Sequence, residues 1–228
     1  MKNVDWQWVN KIVYINLRHR RDRNVRVRKQ LAEIAAEKSK ILRFEAIEAS
    51  PGYIGCVRSH IAVLEMAIAE GWGNVLILED DIAFCTTDED KTRLNKYFSA
   101  LKNIRWDVAF LGANYRSVTA LNSVDYLVRA RQAWCACAYL VNRHYMPVLL
   151  ENFRESLYAL DKGAEQSQFA LDVHWHSLMV SDCWLGVFPN VAYQRADKSD
   201  IEQRMVDYRP LFFKPLAAIS QACGIPAP

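Results

Sequence analysis

The sequence predicts an α/β fold built on a mostly parallel central sheet, and three observations carry that expectation. Val75-Leu76-Ile77-Leu78 is an apolar run of strand length that leads straight into Glu79-Asp80-Asp81. Strand-like and helix-like segments alternate from Lys11 to Leu111 with short connections, as parallel strands require. The carboxylates fall at or just past the carboxyl end of their strand, where open α/β sheets bind ligands. Adjacent acids repel one another and contribute nothing to a core, whereas a divalent cation bridging to a phosphate neutralises them. The plainer alternative is a solvated acidic turn.

Lys11–Leu17 is β-branched and apolar and reads as the first strand, with Asn16 at its end. A basic segment follows, including Arg18, Arg23, Arg26 and Lys29. Its first arginines suit a diphosphate, and beyond Arg23 they read as the outer face of a helix to Lys38, with Val27, Leu31 and Ile34 inward. Ile41–Ile47 is a short second strand, and Ser50-Pro51-Gly52 a turn. Gly55-Cys56-Val57-Arg58-Ser59-His60 leads a helix that Gly71 and Gly73 stop. Ser59 is expected to cap that helix and His60 to pack or bind a donor.

Asp88–Leu101 is predicted as a helix and Trp106–Gly112 as a central strand, with Asn114, Tyr115 and Arg116 just past its end to meet a sugar or base. Leu121–Ala130 is an edge-strand candidate. Ala133–Val141 is a strand whose alanines allow close backbone approach, and Arg143–Phe153 is a helix with Pro147 in its first turn. Glu155–Gln168 reads as a lid or acceptor loop. Asp172, His174 and His176 share one face if that stretch is extended. Cys183–Phe188 is the last strand, Asn190–Gln203 is loop-like, and a proline-punctuated tail starts at Arg209. One domain over 1–208 and a tail over 209–228, packed on the core or at a membrane surface, is the expected organisation.

Composition narrows the function classes. Apolar residues make up 51% of the 228, enough for a sizeable core. Net charge is only +3, which does not call for nucleic acid. The six cysteines, Cys56, Cys85, Cys135, Cys137, Cys183 and Cys223, include no CxxC pair and read as reduced thiols. The polar and aromatic start, Met1–Val9, lacks a signal-peptide pattern, and no apolar run approaches the roughly 20 residues of a membrane span. A cytoplasmic protein is expected. The basic Arg18–Lys29 segment and the tail's Phe212 and Phe213 point to weak peripheral contact with the inner membrane face.

Gly55-Cys56 through Ser59-His60, followed by Leu76–Asp81, resembles glycosyltransferase family 25, the lipooligosaccharide-biosynthesis galactosyltransferases and their collagen-modifying relatives. The likeness begins at Ile15-Asn16-Leu17 and Arg23. It continues through Trp106-Asp107, Leu111-Gly112, Ala138-Tyr139-Leu140 and Asp172 to Gln194 and Ser199-Asp200-Ile201. It implies a GT-A-like nucleotide-sugar-binding fold and inverting, metal-dependent transfer of a hexose. The implied donor is UDP-galactose and the implied acceptor a saccharide or lipid-linked saccharide such as lipooligosaccharide. Asn16, Arg18, Arg23, His60, Glu79, Asp80, Asn114 and Gln194 are the expected donor-binding residues. Glu79 and Asp81 offer hard oxygen ligands for Mn²⁺ or Mg²⁺, and His174 or His176 could complete the shell if not merely packed. Asp172 is the expected general base, with Asp182 and Asp200 as rivals. Two other classes stay open: a metal-dependent phosphoesterase or hydrolase, and a non-catalytic sugar-binding protein.

Overall fold

The computed structural model describes residues 3–121, 124–202 and 204–221. Its first half is β1 (Lys11–Asn16), α1 (Arg21–Glu33), β2 (Ile41–Glu45), α2 (Gly52–Ala69), β3 (Asn74–Glu79), β4 (Ile82–Phe84) and α3 (Asp88–Leu101). Two long strands follow, β5 (Val108–Leu121) and β6 (Val124–Asn142), and then α4 (Met146–Asp161). Short helices α5 (Gln166–Phe169), α6 (Leu171–His174) and α7 (His176–Ser181) lead into β7 (Trp184–Val187) and β8 (Ala192–Gln194). The chain closes with β9 (Asp197–Lys198), β10 (Met205–Val206), α8 (Arg209–Phe212) and β11 (Ser220–Gln221).

The central sheet has seven strands in the order β11-β5-β7-β6-β3-β1-β2, with β5 also paired to β6. β2-β1-β3 and β11-β5-β7 are parallel runs, and β6 alone runs antiparallel between them. The expected α/β class and mostly parallel central sheet are therefore present. Alternate residues along the strands feed opposite faces, so both faces are buried. Val13, Ile15, Val75 and Ile77 pack under α2 and α4, while Ile12, Tyr14, Leu76 and Leu78 pack under α1 and α3. The expected Phe212 of the tail is buried in the second of these clusters. Cys223, Pro226 and Pro228 lie outside the described residues, and the five described cysteines are free thiols.

Several elements depart from expectation. Asn114, Tyr115 and Arg116 lie inside β5 and not past its end. Residues 124–130 belong to β6 and pair with β5 and β7, so they are not an edge strand. The 171–176 stretch is helical because Leu171 and Trp175, four apart, both insert into the core. Asp172, His174 and His176 therefore do not share the face an extended chain would give them. Ser59 sits in mid-helix and is no cap. Its hydroxyl donates to the Gly55 carbonyl and accepts from the Ile47 N–H at 2.8 Å, seating the β2–α2 loop on α2.

Gly55 completes that seat. A Cβ there would stand 2.3 Å from the Ile47 carbonyl oxygen, which the Ser59 bond keeps from retreating. Gly55→Ala is expected to destabilise the chain by about 1–3 kcal/mol through overpacking. Urea unfolding followed by circular dichroism checks this, with a lower midpoint at unchanged slope as the expected result. An unchanged midpoint would show that the loop moves aside freely.

Candidate functional site

β1 and β3 lie side by side with Ile15 opposite Glu79, which brings Asn16, the last residue of β1, level with Asp80 just past the end of β3. The Asn16 amide donates to Asp80 Oδ2 at 2.6 Å, and Arg43 in turn donates to the Asn16 side-chain oxygen at 2.9 Å. Arg23 comes from α1 and is buried, at 7% exposure. Its Nη1 donates to Asp80 Oδ1 at 2.9 Å and to Asp81 Oδ2 at 3.3 Å. Its other nitrogens reach Asp197 and the Lys198 carbonyl. Both Asp80 oxygens thus have partners, and the surrounding carboxylates raise the affinity of Arg23 for its proton over the opposing effect of burial.

β3 ends at Glu79, so strand alternation does not continue into the acids. Asp80 and Asp81 converge on Arg23, while Glu79 turns toward α2. Asp81 Oδ2 also accepts from the Gln194 amide at 3.0 Å, because the β4–β8 pairing puts Ile82 opposite Gln194. Asp81 Oδ1 is buried and has no hydrogen-bond partner. Burial first and the neighbouring Glu79 charge second push the Asp81 carboxyl up to about 7. A buried carboxylate oxygen without a donor is costly unless something positive meets it. The residues present therefore fit a hard divalent cation at Asp81.

Glu79 Oε1 lies 3.7 Å from the Cys56 thiol and 3.5 Å from His60 Nε2, both on α2. His60 is 1% exposed, and its Nδ1 meets the Tyr139 hydroxyl at 2.7 Å.

Two adjoining cavities meet at Cys56, Glu79, Gln194, Ser199 and Ile201. The first, of about 460 Å³, is walled by Ile15, Leu17, Ala46 and Ile47 and opens onto Arg23 and all three acids. The second, of about 510 Å³, is lined by Asn114, Trp134, Cys135, Asp172 and Tyr208.

A bulge in β6 explains how Asp172 enters. Gly112 opposes Ala138 and Asn114 opposes Trp134, so β6 spends two extra residues between those pairs. Cys135 there has φ +75°, a strained conformation for a residue with a Cβ. Its freed N–H donates to Asp172 Oδ2 at 3.0 Å. Burial raises the Asp172 carboxyl above the usual carboxylate range, and the Glu79 charge adds to the rise.

The structure thus brings together Asn16, Arg23, His60, Glu79, Asp80, Asp81, Asn114, Asp172 and Gln194. Asp200 lines the first cavity, where its carboxylate takes Arg20. Four expected residues stand elsewhere. Arg18 is exposed and lines neither cavity. His174 pairs with Glu155 at 3.1 Å and His176 Nε2 meets the Ala133 carbonyl at 3.0 Å, and neither lines either cavity. Asp182 precedes β7 at the opposite end of the sheet, where it accepts from Tyr145. The unforeseen members are Cys56, Trp134, Tyr139, Lys214 and Asp197. Lys214 reaches Asn114 Oδ1 at 2.8 Å, and Asp197 gathers Arg20, Arg23 and Arg26. Cys56 and Tyr139 carried a sequence signal, their places in the Gly55–His60 and Ala138–Leu140 segments of the resemblance.

The chain resembles proteins of known family. It is 33% identical over 92 residues to inactive glycosyltransferase 25 family member 3 of Homo sapiens, covering 39% of this chain and 15% of that protein. The Mus musculus protein of the same name is 26% identical over 122 residues, covering 46% of this chain and 20% of its own length. The chain thus spans about a fifth or less of the curated relatives it matches. Among solved structures, A197 from STIV superposes at a TM-score of 0.46 with 11% identity, covering 87% of this chain and 93% of that one. A glycosyltransferase involved in the glycosylation of the major capsid of PBCV-1 gives 0.40 with 10% identity, covering 85% and 96%. The family described as Glycosyltransferase family 25 (LPS biosynthesis protein) matches residues 28–164. That span is more than half of the sequence and includes α2, the three acids and the β5–β6 pair, and the chain belongs to glycosyltransferase family 25.

Proposed function

We propose that the chain is an inverting, metal-dependent glycosyltransferase that moves a hexose, galactose from UDP-galactose, onto a saccharide acceptor of the lipooligosaccharide kind. The observation that carries this reading is the unpartnered, buried Asp81 Oδ1 at the carboxyl end of β3, opening beside two joined cavities. The two cavities suit two substrates. In this reading the nucleoside lies against Ile15, Leu17 and Ile47, and the diphosphate lies near the acids. The acceptor occupies the second cavity against Trp134, with Asn114 on its hydroxyls. Residues 1–208 form the transferase unit, acting in the cytoplasm at the inner membrane face. Among the described residues no helix is long and apolar enough to cross a membrane.

Asp81 would hold Mn²⁺ or Mg²⁺, with Glu79 assisting through water or the ribose. Such a cation would offset the charge gathering on the departing diphosphate. Asp80 does not compete for it, since Arg23 and Asn16 occupy both its oxygens. Asp172 accepts the proton of the acceptor hydroxyl as that oxygen attacks the anomeric carbon opposite the leaving UDP. Cys135 N–H holds the other carboxylate oxygen, fixing which lone pair faces the cavity.

Screening UDP-sugars for Mn²⁺-dependent hydrolysis, then glycans with the winning donor, tests the reading. Release of phosphate from simple esters instead would make the protein a hydrolase. The names of the curated relatives favour a second reading, a donor-binding protein without turnover. Metal-dependent UDP binding with no transfer to any glycan would establish it. Asp81→Ala is expected to weaken metal-dependent UDP binding at least tenfold, about 1.4 kcal/mol. Isothermal calorimetry with metal and UDP reads this directly. Unchanged affinity would remove Asp81 as the ligand.

A further inference from the structure

Cys56 and His60 have no part in the reading above, and Glu79, which enters it only through water or the ribose, stands beside both. Cys56 and His60 are four apart on α2 and so project from one face of the helix toward the end of β3. One ligand atom from each of them and a Glu79 oxygen all lie within 4.8 Å of one another. The two separations from Glu79 Oε1 are 3.7 Å to sulfur and 3.5 Å to nitrogen. Tetrahedral zinc, with bonds of about 2.0 Å to nitrogen or oxygen and about 2.3 Å to sulfur, holds such atoms about 3.3–3.6 Å apart. Both separations from Glu79 are therefore close to ligand spacing as they stand.

A second observation points the same way. His60 Nε2 is buried without a hydrogen-bond partner. Its other ring nitrogen is engaged by the Tyr139 hydroxyl, and the ring is clamped between Tyr139 and Phe153. A ligating histidine is oriented in this way, by a bond at the nitrogen that does not bind metal. Cys56 and Glu79 line both cavities, which gives an ion a path in and leaves a fourth position open.

We propose that Cys56, His60 and Glu79 form a binding site for a thiophilic divalent cation of the zinc class, separate from the oxygen-only site at Asp81. Thiolate and imidazole select soft or borderline ions, whereas Mn²⁺ and Mg²⁺ prefer carboxylate and water. Binding releases the Cys56 proton to solvent and leaves the thiolate on the metal. An ion held there withdraws Glu79 from any role toward a donor.

Cobalt(II) titration of the reduced, metal-free full chain tests the site without using transferase activity. The expected result is a near-ultraviolet thiolate-to-cobalt absorption at one equivalent per chain, abolished by zinc. It should persist in Asp81→Asn and Cys135→Ser. In Cys56→Ser it should vanish, and in His60→Gln cobalt affinity should fall at least about tenfold. No such absorption in the native chain overturns the proposal, as does absorption undiminished in Cys56→Ser. Loss in Asp81→Asn would merge the trio with the carboxylate site and overturn their separation. X-ray absorption of the zinc-loaded native chain needs no variant: one sulfur among nitrogen and oxygen neighbours supports the site, and a sulfur-free shell refutes it.

Discussion

Asp172→Asn is expected to lower transfer turnover by roughly 10²–10⁴-fold, the usual contribution of a positioned general base. Asparagine keeps the shape and an oxygen for the Cys135 N–H, so the β6 bulge and the second cavity should survive. What disappears is the lone pair that takes the acceptor's proton. Because that role exists only in the transition state, UDP and metal affinity should stay nearly unchanged while kcat falls. Transfer to a true acceptor, measured beside calorimetric UDP binding, separates the outcomes. Near-normal turnover would remove Asp172 from the base role. Loss of metal binding would make it a ligand and move the search to Asp200, which lines the first cavity, since Asp182 lies at the far end of the sheet.

Arg23→Ala should produce the largest loss of stability. The guanidinium is the shared partner of Asp80 and Asp81, at 7% and 8% exposure, and also meets Asp197. Removing one member of a buried ion network leaves uncompensated charge and typically costs about 3–5 kcal/mol. The loss should depend on pH. Burial already raises the Asp80 and Asp81 carboxyls, the latter to about 7, and without Arg23 both rise further. An acid raised in the folded state binds its proton more tightly there than in the unfolded chain. Stability is then lost as pH rises from the unfolded value, about 3.9, through the folded one. For Asp81 the gap between variant and parent should therefore widen only above about pH 7, where the parent's carboxyl has given up its proton and the variant's has not. Denaturant titrations on either side of that pH check it. A gap independent of pH would show that lost packing, not charge, is the cause.

Much of the frame was legible because local and tertiary signals agree. The α3 boundaries follow from the capping box of Thr87 and Asp90 and from Leu94, Tyr97, Phe98 and Leu101 on one face. β3 and its acids were legible because a short apolar run bounded by Gly73 and by three acids has the length of a buried strand. The 171–176 turn was misjudged because alternating Asp and His suggest period two. The four-residue spacing of Leu171 and Trp175 was the stronger signal. Asn114 and Arg116 looked like loop residues because a bulged strand does not keep strict alternation. Within a run of arginines, nothing local marks Arg23 as buried. Its partners Asp80 and Asp81 are 57 and 58 residues away, and Asp197 further still. Arg18 shows the converse, a neighbour of like composition that remains in solvent.

The β4–β8 pairing also sets a timetable for synthesis. Gln194 reaches Asp81 across 113 residues of chain, and Asn190 in the same segment holds the Ala113 backbone of β5. At about 5–20 residues per second, a ribosome needs roughly 6–23 s to deliver the second half of that contact. Meanwhile β3 waits for β6, which supplies its antiparallel neighbour from Leu78↔Ala138 to Asn74↔Asn142. The nascent chain therefore shows an open strand edge beside a cluster of carboxylates, a form that invites pairing with other chains. A stalled chain ending before Asn190 should remain sensitive to protease around β5. Release of a chain that includes Gln194 should bring protection in one step.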